Sequence, residues 1–309
     1  MSMVERNYQP KEEFLVYRDS WFQLIRPLTF TATLSSVIAG TGLAAFNGAT
    51  IRYDLFIAVL FVGLLVQSAV NMLNDYYDFQ KGQDREKWVS YNRSTNFFTP
   101  LYPMVPSVAF ILFAMAIIVG SWVGYESKTL WILIMGGGGV LCGYKYSAGP
   151  RSLSSLGLAE VIAFIFLGFF PVFVGYVVQV HSLDLTIIAL ALPYSLISST
   201  MLLTNNIRDI QKDENIRRTV AMRLGRNRAV FALTIILALA YLLVFILIFT
   251  KIVSPFAFIT LVALPAALRL RWHLRRSASR ADVIKSMKCV AIHHWIFGMA
   301  LALSIWFAA

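Results

Sequence analysis

Residues Gln67–Asp84 read QSAVNMLNDYYDFQKGQD. The stretch starts inside a long apolar run and ends in a dense polar cluster. Gln67, Asn71, Asn74, Asp75 and Asp78 recur at helical spacing, so they fall in one stripe along one helix face. Carboxylates at the mouth of a membrane helix are costly and usually functional. A second stretch, Thr204–Asp213 (TNNIRDIQKD), repeats the design with Asn205, Arg208, Asp209 and Asp213. The rest of the chain reads as a scaffold that brings the two stripes together.

That scaffold lies in a membrane. Of 309 residues, 58% are hydrophobic and 14% charged. Soluble domains carry roughly 25% charged residues. Apolar runs of spanning length fall near 24–46, 54–76, 104–123, 129–146, 156–180, 184–206, 228–250, 252–270 and 287–308. The expectation is an all-α polytopic protein of nine transmembrane helices, arranged as two parallel four-helix repeats plus one. It forms a single transmembrane domain over 1–309, with a polar segment at 1–23 that lacks the pattern of a cleaved signal. Cys142 and Cys289 lie in apolar runs without metal-site spacing and read as small core residues.

The net charge of +11 suggests nucleic acid at first sight, but the placement of the cations excludes it. With the N-terminus in the cytoplasm, only Arg52, Lys128 and Lys251 of the 27 Lys and Arg residues fall outside. This is the positive-inside pattern of a multi-pass protein of the cell membrane. Both acidic stripes then end on the cytoplasmic face. The long inner loops 77–103 and 207–227 flank them as active-site loops, with 85–99 expected to close as a lid.

Asp75, Asp78, Asp84, Asp209 and Asp213 cannot gather at a membrane face without compensation. Mg²⁺ takes oxygen ligands and typically shares one or two carboxylates with substrate phosphates. Two carboxylate sets around Mg²⁺ suit a diphosphate leaving group. Lys81, Lys145, Arg208 and Lys212 stand near enough in sequence to take further negative charge. Gln67, Asn71, Asn74 and Asn205 would line the substrate side, and the apolar helices would hold a lipid tail. The chemistry predicted is ionisation of a lipid diphosphate at the membrane face.

NDYYDFQKGQD followed by NNIRDIQKD resembles the UbiA superfamily of intramembrane prenyltransferases, over nearly the whole chain. The resemblance implies nine helices, Mg²⁺, a polyprenyl diphosphate donor and an aromatic acceptor. It also implies metal and diphosphate roles for Asp75, Asp78, Asp84, Asp209 and Asp213, with Asn74, Asn205 and Arg208 in support. The spacing Asn74 to Asp84, the stretch Tyr146 to Pro150 and the stretch Asn205 to Arg226 are most similar to the branch that prenylates 1,4-dihydroxy-2-naphthoate for menaquinone, with loss of its carboxyl. Another aromatic acceptor, such as 4-hydroxybenzoate, is the alternative. A cation-coupled secondary transporter is the alternative from another class. It calls for polar groups at the bilayer midplane, whereas the charges here gather at one face.

Other features have plainer readings. His293 and His294 are adjacent and cannot share a helix face, so they are not expected to bind a metal. Glu160 is expected to pair with a loop cation, and Arg269–Arg280 to meet lipid headgroups. Gly136–Gly139 either allows close helix packing or leaves room for a lipid tail.

Overall fold

The computed structural model describes residues 15–91, 98–149, 151–180, 184–214 and 217–309. The chain is a helical bundle. In hydrocarbon each backbone donor and acceptor must find its partner within the segment, so the long apolar runs become helices. In order they are α1 (Pro27–Phe46), α2 (Tyr53–Gln80), α3 (Met104–Glu126), α4 (Trp131–Ser147), α5 (Ala159–Val180), α6 (Leu185–Arg208), α7 (Arg226–Phe249), α8 (Pro255–His273) and α9 (Arg280–Trp306). Eight of them are long and apolar enough to cross a membrane. The exception is α4, which at 17 residues is slightly short for a straight span.

Two boundaries differ from the sequence reading by four residues or more, both for the same reason. Hydropathy ends where charge begins, but a helix continues until its backbone is capped. Accordingly α2 runs past 76 to Gln80. Similarly α9 begins at Arg280 and not at 287, because the Ser279 side chain accepts a hydrogen bond from the Asp282 N–H at 3.1 Å.

The first and ninth helices are neighbours. The Trp306 indole donates to the Ile38 carbonyl at 2.8 Å, and Gly298 lies against Ser35. His293 and His294 are fully buried and face different neighbours. His293 Nε2 lies 3.1 Å from the Tyr241 hydroxyl, and His294 Nε2 lies 3.2 Å from Ser198 Oγ. On its other side α1 packs against α5. Within α5, residues Ala163–Phe169 form a π-helical segment that rests on α6. Such wide turns cluster near functional sites, and Ala163, Phe166 and Leu167 of this one face the central cavity.

A two-stranded sheet, which the sequence reading did not anticipate, covers one end. Strand β1 (Leu15–Tyr17) pairs antiparallel with β2 (Trp88–Ser90). Trp88 is buried among Tyr17, Phe79 and Tyr102, with ring centroids 4.9–5.9 Å away. The start of the expected lid is therefore part of the core. Residues 92–97, including Arg93, lie outside the described residues.

Candidate active site

The ends of α2 and α6 open onto one cavity of about 860 Å³. Its mouth carries Asn74, Asp78, Asp84, Asp209 and Asp213 with Arg26, Lys87, Arg208, Lys212 and Arg217. Its depth is hydrocarbon-lined, with residues such as Val59, Val66, Phe166 and Phe170, and the bare backbone of Gly136 and Gly137. A Cβ added at either glycine meets no atom within 4 Å, so these glycines leave open space and are not helix-packing contacts.

Local chemistry explains how the polar end is built. The α2 helix ends on Gly82 at φ +80°, with Gln83 N–H bonded to Asp78 C=O and Gly82 N–H to Phe79 C=O, both at 2.8 Å. This is the Schellman arrangement, which needs a left-handed residue just past the helix. The turn folds the chain back, so Gln83 and Asp84 face the same cavity as Asp78. Gln83 then bridges the two stripes. Its amide donates to Asp213 at 2.8 Å and its oxygen accepts from Arg217.

Each stripe is balanced by cations. Asp78 lies 2.6 Å from Arg217, and Asp209 lies 2.5 Å from its neighbour Arg208. Asp84 pairs with Lys87 and Lys212, which hold its carboxyl well below the usual range against the opposing effect of burial. Asp213 differs, since no ion pair reaches it among the described residues. Burial, together with repulsion from Asp209 and Asp78, pushes its carboxyl up to about 6 despite Arg217.

The expected residues divide by location. Gln67 and Asn71 line the cavity while tying α2 to the start of α1 and the turn before it. Gln67 donates to Thr29 C=O at 2.7 Å, and Asn71 donates to Ile25 C=O at 2.8 Å. Asn205 lines it and accepts from Arg208 at 2.8 Å. Three expected residues do not line it. Lys145 is exposed, beside the Tyr144 ring. Lys81 turns away to Ser147 C=O and Ser152 Oγ. Asp75 is fully buried behind the wall and bonded to Tyr17, Arg26 and Lys87. Glu160 pairs with no cation among the described residues; it accepts from Asn206 at 2.8 Å. Arg26, Gln83, Lys87, Arg217 and Arg280 line the cavity and were not anticipated there. Their signal was faint, because arginines and lysines at an inner membrane face look alike whether they serve topology or a site.

Among the described residues no three His, Cys, Asp or Glu side chains are gathered as a metal site. The donor set nonetheless fits a hard cation. It is all oxygen, and Asp78 Oδ1 is buried without an aligned hydrogen bond. Asp213, on the facing stripe, forms no ion pair among the described residues. Asp78, Asp84, Asp209 and Asp213 could hold Mg²⁺, with Asn74 alongside.

The architecture is that of a membrane-embedded prenyltransferase. It superposes on a UbiA homolog from Aeropyrum pernix K1 with a TM-score of 0.64 at 16% identity, covering 90% of this chain and 98% of that one. It superposes on a UbiA homolog from Archaeoglobus fulgidus, bound to GPP and Mg²⁺, with a TM-score of 0.61 at 15% identity, over 92% and 100%. The chain belongs to the UbiA prenyltransferase family, whose model matches residues 33–306. It is 29% identical to the 1,4-dihydroxy-2-naphthoate octaprenyltransferase of Bacillus subtilis (strain 168), over 92% of this chain and 91% of that protein. It is 27% identical to the enzyme of the same name from Mycobacterium tuberculosis, over 91% and 95%.

Proposed function

We propose that this prenyltransferase moves a polyprenyl group from its diphosphate to 1,4-dihydroxy-2-naphthoate, with Mg²⁺ and loss of CO₂, as a step of menaquinone synthesis at the cytoplasmic face of the cell membrane. The observation that carries this reading is the two-part cavity, charged at its mouth and hydrocarbon-lined below. It matches an amphiphile with a diphosphate head and an isoprenoid tail. The similarity to two naphthoate octaprenyltransferases supports the choice of acceptor.

Bound Mg²⁺ would supply the charge that makes diphosphate a good leaving group. Arg208, Lys212 and Arg217 exchange their carboxylate partners for phosphate oxygens as the donor enters. The allylic C–O bond then breaks, and its electron pair leaves with the diphosphate. The carbocation forms beside the apolar chamber, where few waters can reach it. The electron-rich ring attacks it at the carbon bearing the carboxyl. CO₂ departs, leaving its bonding pair to restore the ring. Gln67 and Asn71 are placed to orient the acceptor. Asp75, Lys81 and Lys145 touch nothing in this scheme because they do not line the cavity.

Purified protein incubated with Mg²⁺, octaprenyl diphosphate and a panel of aromatic acids tests the reading by product mass. A prenylated, decarboxylated naphthoate is expected. Prenylated hydroxybenzoate in its place would move the acceptor and leave the reaction class intact.

Two further outcomes follow from this reading. In a variant lacking Cys142 and Cys289, Glu86→Cys is expected to react with an impermeant thiol reagent only from the cytoplasmic side, and Lys128→Cys only from outside. Both positions are exposed, and they lie on opposite faces by the cation asymmetry. The reverse labelling would invert the topology. Gly137→Phe fills open space in the chamber. It is expected to lower turnover of octaprenyl diphosphate relative to geranyl diphosphate by roughly tenfold or more, measured as a ratio of kcat/KM. An unchanged ratio would place the tail elsewhere.

A further inference from the structure

Asp75 sits in the same motif as Asp78, yet the two side chains have different surroundings. Asp78 opens onto the cavity, whereas Asp75 is fully buried behind its wall. Three separate elements converge on the Asp75 carboxylate. The Tyr17 hydroxyl, from β1, donates to Oδ2 at 3.1 Å. Arg26, from the turn before α1, donates to Oδ1 at 2.5 Å. Lys87, from the loop after α2, donates to Oδ1 at 2.6 Å. Both of these cations, unlike Asp75, line the cavity.

The backbone at Arg26 adds a second, independent observation. It is left-handed, at φ 54° and ψ 65°. A side chain other than glycine rarely adopts this conformation, and a following proline favours extended geometry instead. Such a residue persists only where its surroundings over-determine it. Here the bond to Asp75 is the main side-chain anchor, and it aims the guanidinium along the cavity wall.

We propose that Asp75 is a positioning residue and not a metal ligand: it fixes Arg26 and Lys87 as two further cations that receive the donor's diphosphate, beside Arg208, Lys212 and Arg217. The inference rests on the diphosphate reading of the site given above. It divides the acidic motif into two jobs. Asp78 presents oxygen to the cavity, and Asp75 presents cations to it. An amide at Asp75 could not serve, because it offers one oxygen in place of two and turns an N–H₂ donor toward cations.

Mn²⁺ titration by electron paramagnetic resonance separates these jobs without turnover. In Asp75→Asn, Mn²⁺ affinity is expected to match wild type, while KM for the prenyl diphosphate rises about tenfold or more, as for loss of an oriented charge-assisted bond. Binding of inorganic diphosphate in the presence of Mn²⁺ should weaken in parallel. In Asp78→Asn, Mn²⁺ affinity itself should fall. Arg26→Gln and Lys87→Gln should each raise KM and be non-additive with Asp75→Asn, since the carboxylate then has less to orient. If Asp75→Asn does not yield folded protein, Asp75→Glu keeps the charge and displaces it, with the same expected split between KM and Mn²⁺. Loss of Mn²⁺ affinity at position 75 to the extent seen at 78 would overturn the proposal, as would an unchanged KM. Wild-type protein that binds neither Mn²⁺ nor diphosphate would overturn the underlying reading of the site, a result distinct from either.

Discussion

Asp78→Asn and Asp209→Asn are each expected to lower turnover by roughly 10²–10³-fold at saturating Mg²⁺, with the protein still inserted and folded. The two residues end different helices and face one cavity, so each would offer a bound cation oxygen from a different side. An amide keeps the shape and loses the charge, and a hard cation is held poorly by what remains. The pairing also matters. Removing the carboxylate leaves Arg217 or Arg208 without its charged partner near the mouth, free to hold product diphosphate too tightly. Single-turnover and steady-state rates of the purified variants distinguish slow chemistry from slow release. Near wild-type rates in either variant would remove that residue from the reaction.

The largest effect on stability is expected at Gly40. A Cβ there would lie 1.9 Å from the Val172 carbonyl oxygen, and one at Gly175 would lie 2.8 Å from the Val37 carbonyl oxygen. The backbones of α1 and α5 therefore touch. The Thr41 hydroxyl crosses the same seam to Gly175 C=O at 3.1 Å. Helices in hydrocarbon are held largely by such close approach and by interhelical hydrogen bonds. Gly40→Val must push them apart and lose both, for a cost of about 3 kcal/mol or more. The expected result is loss of a monodisperse peak on size-exclusion in detergent and a lower unfolding temperature. Gly120→Val is the matched control, since a Cβ there meets nothing within 4 Å. If both variants behave alike, packing at the α1–α5 seam is not the cause.

Much of this was legible in the sequence. Apolar runs gave the spans, because length and hydropathy decide what crosses a bilayer. The two stripes pointed to the residues that meet at the cavity mouth, because helical periodicity puts Asn74 and Asp78, or Asn205 and Asp209, near one another. What periodicity could not do was distinguish Asp75 from Asp78. Positions three apart share a face only to within a rotation of about 60° at 3.6 residues per turn. That rotation turns Asp75 behind the wall while Asp78 looks into the cavity. The cations Arg26, Lys87 and Arg280 were hidden for another reason. Each is brought to the cavity by a cap or a turn, which leaves little trace in hydropathy. Strand β1 was missed because three residues of pattern, LVY, carry no reliable period.

The contact between α1 and α9 has a consequence for how the molecule is made. A chain emerging from the ribosome inserts its helices in sequence, so α1 reaches the bilayer long before its neighbour exists. Until α9 arrives, the Ile38 carbonyl lacks the Trp306 indole and Ser35 lacks Gly298 against it. The cavity also lacks Arg280. The ninth helix is the last part of the enclosure to be made, and a nascent chain halted before it carries both acidic stripes without the wall that Arg280, Ile284 and Met287 supply.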